Sequence, residues 1–145
     1  MMVFVTDVFH ELLEAHDTGI LATIKRDGRP HLSNVTYSYD RVAGTIRVSI
    51  TDRRQKTVNL RRDPRASFEV TTPDLGRFAV AEARASLSSV AAAPNDATVD
   101  ELVDIYRRIA GEHPDWDEFR AAMVTEQRIA LTLNVERLYG WPRQP

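Results

Sequence analysis

A short basic segment is the part of this sequence best equipped to bind a charged ligand. Residues 53–65 contain six Lys or Arg and a single acid, Asp63, whereas the whole chain has 19 basic and 21 acidic residues and a formal net charge of −2. The preceding residues 44–50 alternate apolar and polar side chains, which predicts a strand, and a short helix is expected over about 54–62. A slightly acidic protein therefore concentrates positive charge where a strand gives way to a helix.

Three interpretations of this segment compete. Its arginines could form a solvated helix face, which is the common fate of charged side chains. A nucleic-acid site is not expected, because the rest of the chain is net acidic and residues 49–67 contain no aromatic side chain that could stack on bases. A phosphate site would use the free backbone N–H groups at the helix start, where Lys56 and Arg54 could hold one anion. Arg61 and Arg62 lie further along the helix and should face water or a diffuse negative group.

Composition limits the remaining choices. With 145 residues, of which 43% are apolar and 28% charged, the chain is expected to form a single domain over 1–145. No apolar run is long enough to span a bilayer and the N-terminal segment lacks the basic start of a signal peptide, so a cytoplasmic protein without a membrane partner is expected. Cysteine is absent and the histidines have no metal-ligand spacing, so neither a disulfide nor a metal site is predicted.

The apolar pattern predicts a mainly β fold with additional α-helices. A helix is expected over 6–16, followed by two strands joined by a tight turn at Asp27–Gly28. Four more strands are predicted over 44–50, 65–72, 77–89 and 128–140. An amphipathic helical insertion is predicted over about 95–124, with its second helix after Pro114. Six mostly antiparallel strands in so short a chain suggest a small barrel, closed or nearly closed, with flanking helices.

Two motifs resemble a known family. The segments GILATIKRDGRPHLSNV (19–35) and RRQKTVNLRRDPRAS (53–67) are similar to the pyridoxamine 5′-phosphate oxidase-like, FMN-binding split-barrel proteins. The closer similarity is to the branch that uses the deazaflavin coenzyme F420, found mainly in actinobacteria. The resemblance extends from about Thr18 to Tyr139 and includes AGEHPDWDEFRAAM (110–123). It implies a six-stranded antiparallel split barrel and an obligate homodimer with two equivalent cofactor grooves at the subunit interface.

The resemblance also implies which residues bind the cofactor. Lys56 lies eight residues before Pro64 of the DPR motif, at the position that reaches the cofactor phosphate, and Arg54 would assist it. On the same helix, Thr57 and Asn59 would supply further polar contacts. Ser49 would lie near the ribityl chain of the cofactor. His31, Ser33 and Asn34 would lie along its ring.

Strand alternation limits the contacts to the ring. It sends His31 and Ser33 to one face of their strand and Asn34 to the other, so the three side chains cannot all point at one ring. Backbone groups could supply the difference. His31 is the one candidate for a catalytic role, as the donor of the proton that must reach the acceptor.

The expected cofactor follows from what differs from the vitamin-processing oxidases of the family. Those enzymes carry an arginine and a lysine for FMN or nearby groups where this chain has Ser33 and Ser38. Their arginine-rich substrate-binding C-terminus is replaced here by RLYGWPRQP. F420 has a longer anionic tail, which suits a wide cationic surface around Lys56. F420 is therefore the expected cofactor, and FMN is the alternative.

The function implied by the resemblance is an F420-dependent oxidoreductase that transfers hydride from the reduced deazaflavin to a conjugated small-molecule acceptor. Two alternatives stay open: an FMN-binding flavoprotein of the same fold, and a non-catalytic carrier that holds F420 or a flavin without turnover. Tyr139 and Trp141 could line the acceptor site or serve as buried anchors.

Overall fold

The computed structural model describes residues 7–142. Within this range four helices and seven strands follow one another along the chain: α1 (Asp7–Ala15), β1 (Thr18–Ile24), β2 (Pro30–Thr36), β3 (Ser38–Asp40), β4 (Thr45–Thr51), α2 (Gln55–Arg62), β5 (Arg65–Thr71), β6 (Phe78–Leu87), α3 (Ala97–Ala110), α4 (Trp116–Thr125) and β7 (Arg128–Trp141). The position Thr6, at the start of the first predicted helix, lies outside the described residues.

The strands form one antiparallel sheet with the order β2-β1-β5-β6-β7-β4-β3. Its two edge strands, β2 and β3, are consecutive in the chain, and only Tyr37 separates them. The sheet must therefore curl until its edges meet at Tyr37. It forms a half-barrel that stays open along β2, which pairs with β1 but with neither β3 nor β4 in the described sheet. The predicted mainly β split barrel with flanking helices is confirmed.

The sheet has seven strands rather than the six predicted, because the segment expected as one long second strand is divided at Tyr37. The Tyr37 N–H donates to the carbonyl oxygen of Asp17 at 2.8 Å, and its hydroxyl donates to the carbonyl oxygen of Leu13 at 2.6 Å. Its buried ring contacts Phe68 edge-on, with 4.7 Å between ring centroids. These contacts take Tyr37 out of the ladder, and β3 pairs with β4 instead. Three residues are too few for alternation to reveal such a strand.

Alternating residues of the strands fill the inside of the half-barrel. The main core contains Leu21 of β1, Val48 of β4 and Phe68 of β5, none of which exposes more than 1% of its surface. Each fully buried aliphatic side chain of this kind contributes about 1.5–3 kcal/mol to folding. The β1–β2 turn is the predicted one, and Gly28 adopts a φ of 88°, which favours glycine.

Helices α3 and α4 pack together on the outer side of β4 and β7. They share a second apolar cluster of Ala91, Val99, Leu102, Val103, Ile105, Met123 and Ala130. The Asp96 carboxylate caps α3 by accepting from the N–H of Val99 at 2.8 Å, and Gly111 ends it with a φ of 81°. An ion pair from Arg47 of β4 to Asp104, 2.6 Å long, ties the middle of α3 to the sheet.

Candidate functional site

Helix α2 lies at the opening of the half-barrel because β4 leads directly into it. The Thr57 hydroxyl donates to the carbonyl oxygen of Thr51 at 2.7 Å, which fixes the turn between strand and helix. The Asn59 amide donates to the Thr23 hydroxyl at 3.1 Å, which joins α2 to β1. Leu60 is 2% exposed and belongs to the main core. One face of α2 is thus bound to the barrel, and the N-terminus of the helix lies at the open side of the half-barrel.

The N-terminus of α2 has no side-chain cap. Arg54 occupies the N-cap position in an extended conformation, and its side chain accepts no hydrogen bond. The backbone N–H groups of Gln55 and Lys56 have no acceptor among residues 7–142. Since the first N–H groups of a helix point outward at its positive end, this end offers donors to an anion.

A cleft of about 510 Å³ opens beside this helix end, between β2, β4, α3 and the start of β7. Its lining residues are Asn34, Val35, Thr36, Ser49, Ile50, Thr51, Arg54, Lys56, Ile105, Tyr106, Ile109, Ala110 and Arg128. This lining contains three cations and no carboxylate. The cleft is therefore large enough for a small organic molecule and has the charge to hold an anionic one.

The positive charges of Arg54 and Arg128 act on Lys56. Burial is the main cause that lowers the pKa of Lys56 below its ordinary value of 10.5, and the charges of Arg54 and Arg128 lower it further. Neither Lys56 nor Arg54 has an ion-pair partner in the described part of the chain. Arg128 is held by Glu126, with 2.8 Å between Nη2 and Oε1, and its Nη1 lies 3.5 Å from the Ser49 carbonyl oxygen. Lys56 and Arg54 thus have unused binding capacity for an anion.

Four of the eight residues named from the sequence line this cleft. They are Lys56 and Arg54 from the start of α2, Ser49 from β4, and Asn34 from β2. The other four do not line it within their own chain, for two different reasons.

Thr57 and Asn59 are completely buried, and their side chains bind the protein itself. In addition to its bond to Thr23, Asn59 accepts from Gln55 at 2.7 Å and from Arg62 at 3.2 Å. These side chains position α2 rather than reach into the cleft.

His31 and Ser33 point toward the inside of the barrel, on the same face of β2 as the core residue Val35. The face opposite carries Leu32 and Asn34, as alternation predicts. His31 Nδ1 and Ser33 Oγ are both buried without a hydrogen-bond partner among residues 7–142. Neither side chain lines the cleft on this chain.

Three of the four remaining basic residues of the segment have partners within the described chain. Arg61 was expected to face water or a negative tail, but it forms an ion pair of 2.5 Å with Asp52. Arg62 donates to the carbonyl oxygen of Ile24 at 2.6 Å. Arg65 pairs with Asp63 at 2.8 Å, and this hydrogen-bonded pairing lowers the pKa of Asp63 to about 2. Of the six basic residues in the segment, Arg54 and Lys56 alone line the cleft, so fewer charges face it than the sequence suggests.

Sequence reasoning missed Arg128 and the α3 residues of the cleft. Arg128 reaches the site because β7 pairs with β4, where Thr51 lies directly opposite Arg128. Five elements, α2, β5, β6, α3 and α4, separate these strands in the chain, so no local motif signals the pairing. The sequence predicted an amphipathic helical insertion over about 95–124, but not what this insertion contacts.

A second hollow, of about 330 Å³, lies near the β1–β2 turn and the start of β5. Its lining contains two basic residues, Arg65 and Arg84, and two acidic residues, Glu82 and Glu136. Arg84 lies 4.0 Å from Glu136, so opposite charges are already close to each other there. This hollow lacks the uncompensated charge of the cleft.

No group of three or more His, Asp or Glu side chains within residues 7–142 is arranged to hold a metal ion. No helix in this range is both long and apolar enough to cross a membrane.

The fold and the cleft together define an antiparallel split barrel with a groove at its opening that is lined by Lys56, Arg54 and Arg128. The sequence profile described as pyridoxamine 5′-phosphate oxidase matches residues 5–142. The chain therefore belongs to the pyridoxamine 5′-phosphate oxidase family.

Solved structures with the same fold have diverse descriptions. A conserved hypothetical protein from Mycobacterium tuberculosis superposes with a TM-score of 0.72 at 25% identity, covering 99% of this chain and 92% of its own. A protein described as an F420 reductase gives 0.64 at 23% identity, covering 90% and 95%. HutZ, a heme storage protein from Vibrio cholerae, gives 0.68 at 17% identity, covering 94% of each chain. The fold thus serves both a reductase and a storage protein.

Proposed function

We propose that this protein is an F420-dependent oxidoreductase that passes hydride from reduced F420 to a conjugated small-molecule acceptor. The observation that carries the proposal is the cleft at the α2 N-terminus, where Lys56, Arg54 and Arg128 surround a space without a carboxylate in its lining. An anionic cofactor group satisfies these charges and the free N–H groups together.

The residues that line the cleft fit the parts of such a cofactor. Lys56, Arg54 and the N-terminal N–H groups of α2 would hold the phosphate, with Arg128 close by. Ser49 and Asn34 offer a hydroxyl and an amide for the polyol chain and the ring edge. Thr57, Asn59, His31 and Ser33 have no direct contact in this proposal.

F420 is favoured over FMN by the charges. Ser33 and Ser38 stand where the resemblance places a basic pair in the vitamin-processing oxidases, although neither serine lines the cleft of this chain. The protein resembles a described F420 reductase in fold, which agrees with this choice. FMN binding by the same cleft is the alternative, and the titration below separates the two.

Bound F420 would supply the hydride chemistry, so the protein needs to bind and orient rather than to provide a nucleophile. Residues of α3 and β4 form two sides of the cleft. His31 does not line the cleft of its own chain, so in this proposal the proton that completes the reduction comes from solvent water.

A homodimer completes the cleft in this proposal. The outer face of β2 and β1 carries Leu32, which is 62% exposed, beside the partly exposed Ile20 and Ala22. Asn34 lies on this same outer face and also lines the cleft. A second copy that covers the apolar face would therefore also close the cleft from outside.

The dimer is tested by Leu32→Glu, with Val42→Glu as the matched control. Val42 is fully exposed on the β3–β4 turn, away from the proposed interface. Sedimentation should show a dimer for the parent and for Val42→Glu, and monomers for Leu32→Glu. A parent that sediments as a monomer contradicts the proposal.

The cofactor is tested by titrating the protein with F420 and FMN side by side and following fluorescence. Lys56→Ala should weaken F420 binding at least about tenfold, because it removes a charge-assisted hydrogen bond. Lys25→Ala is the matched control, since it removes the only other lysine, outside the cleft. No binding of F420 by the parent at micromolar concentration contradicts the F420 assignment, and an FMN spectrum in the purified protein supports the alternative.

Turnover separates an enzyme from a carrier. The protein should catalyse the oxidation of reduced F420 by a conjugated acceptor such as a quinone, which is reduced in turn, and Lys56→Ala should lower the rate at limiting cofactor. Tight F420 binding without oxidation by any acceptor of a broad screen would instead indicate a carrier.

A further inference from the structure

One side of the cleft is uncharged and rigidly held. It is formed by Ile105, Tyr106, Ile109 and Ala110 of α3, and these four residues are here called the α3 wall. The helix cannot shift easily, because the Arg47–Asp104 ion pair ties it to β4 and its inner face belongs to an apolar cluster. The wall therefore offers a fixed apolar surface beside the cations.

Tyr106 is the aromatic residue of this wall, and other rings hold it in place. Its ring centroid lies 5.1 Å from Phe119, 5.2 Å from His113 and 5.7 Å from Trp116. Trp116 is itself fixed, since its indole N–H donates to Glu112 at 2.9 Å. The Tyr106 hydroxyl has no hydrogen-bond partner among the described residues. A ring that is already ordered loses little entropy when a ligand packs on it.

The size of the cleft also argues for a ligand with more than an anionic group. A phosphate ion held by Lys56, Arg54 and Arg128 would leave most of the 510 Å³ empty. An aromatic ring packs well against another ring with centroids about 4.5–7 Å apart. The part of the ligand beyond its phosphate thus has an aromatic surface available.

We infer that the α3 wall binds the flat, uncharged part of the ligand whose anionic group the three cations hold, and that Tyr106 selects for an aromatic ring at that place. This inference rests on the proposed function, since it takes the cation site as the binding site of the phosphate. It adds a specificity-determining residue on an element that the basic motif does not include.

The test compares three probes: F420, FMN and inorganic phosphate, the last measured as a competitor of either ring compound. Tyr106→Leu should weaken F420 and FMN by about tenfold and leave the inhibition constant of phosphate within about twofold. Lys56→Ala should weaken all three. Tyr106→Phe should retain the binding of both ring compounds if the ring is what matters.

Tyr39→Leu is the matched control, because it removes a tyrosine ring that contacts His10 and does not line the cleft. It should lower the melting temperature and leave the affinities nearly unchanged. Equal losses for phosphate and for the ring compounds in Tyr106→Leu, or no loss at all, overturn the inference. If the parent binds FMN but not F420, the F420 assignment fails while the Tyr106 comparison is decided with FMN. A parent that binds neither ring compound overturns both.

Discussion

The Asn59 amide on α2 donates a hydrogen bond to the Thr23 hydroxyl on β1, and both side chains are almost entirely buried. The bond is 3.1 Å long and joins the helix that begins at the cleft to the strand next to the barrel's edge. Asn59 also accepts from Gln55 and Arg62. This buried network fixes where the N-terminus of α2, and hence Lys56, lies relative to the split.

Asn59→Ala should lower the free energy of unfolding by about 1–3 kcal/mol, because it leaves the buried Thr23 hydroxyl without a partner. Thermal or urea unfolding measures this loss. Thr23→Val in the same background should recover part of it, since an apolar group of similar shape needs no partner. Additive losses in the double variant would show that the two side chains are not coupled.

Much of this arrangement could be predicted from the sequence, because it depends on local patterns. The change from strand alternation to helix placed Lys56 and Arg54 at the start of α2, where the structure has them. Alternation also assigned His31 and Asn34 to opposite faces of β2 correctly. The sequence could not show which side of α2 packs against the barrel. Asn59 was therefore predicted to contact the cofactor, although its side chain is buried against the barrel.

Features that depend on strand order were not predictable in this way. Arg128 enters the cleft only because β7 pairs with β4, and Tyr106 only because α3 crosses beside the same strand. The short strand β3 was missed because Tyr37 interrupts the ladder by tertiary contacts with Leu13 and Asp17. In each case the cause is a contact between segments far apart in the chain, which periodicity does not report.

Anion binding at Lys56 should depend on pH in the alkaline range. Burial, Arg54 and Arg128 lower the pKa of Lys56 in the free protein, so the ammonium is lost at a pH below the ordinary value of 10.5. A bound anion favours the charged form and should raise this pKa again. F420 affinity should therefore be constant near neutral pH and fall as the pH rises toward 10.5.

The control for this effect is Lys56→Arg, which keeps a charge that does not titrate in this range. Affinity measured by fluorescence across the alkaline range should stay level in the variant. A parallel decline in the parent and in Lys56→Arg would assign the pH dependence to another group, or to the ligand.

Arg128→Gln should weaken binding of the anionic ligand by about five- to tenfold, because it removes one of the three positive charges of the cleft. It should also move the alkaline decline of binding to higher pH, since the Arg128 charge contributes to the lowered pKa of Lys56. Arg120→Gln is the matched control: Arg120 forms an ion pair of 2.9 Å with Asp100 and does not line the cleft. Similar losses in both variants would contradict a specific role of Arg128.

The His10–Tyr39 pair predicts a stability effect on the acid side of neutrality. His10 Nδ1 lies 2.5 Å from the Tyr39 hydroxyl, and burial, followed by the Arg41 charge, lowers the pKa of His10 below 6.5, although Asp7 and Glu14 act in the opposite direction. As the pH falls through 6.5, the unfolded chain gains the proton first, so the free energy of unfolding should decrease until the folded His10 is protonated as well. His10→Gln keeps a polar side chain without this titration. Unfolding curves at a series of pH values should therefore show the parent losing more stability than His10→Gln between neutral pH and the region below 6.5, and curves that run parallel would show that His10 titrates alike in both states.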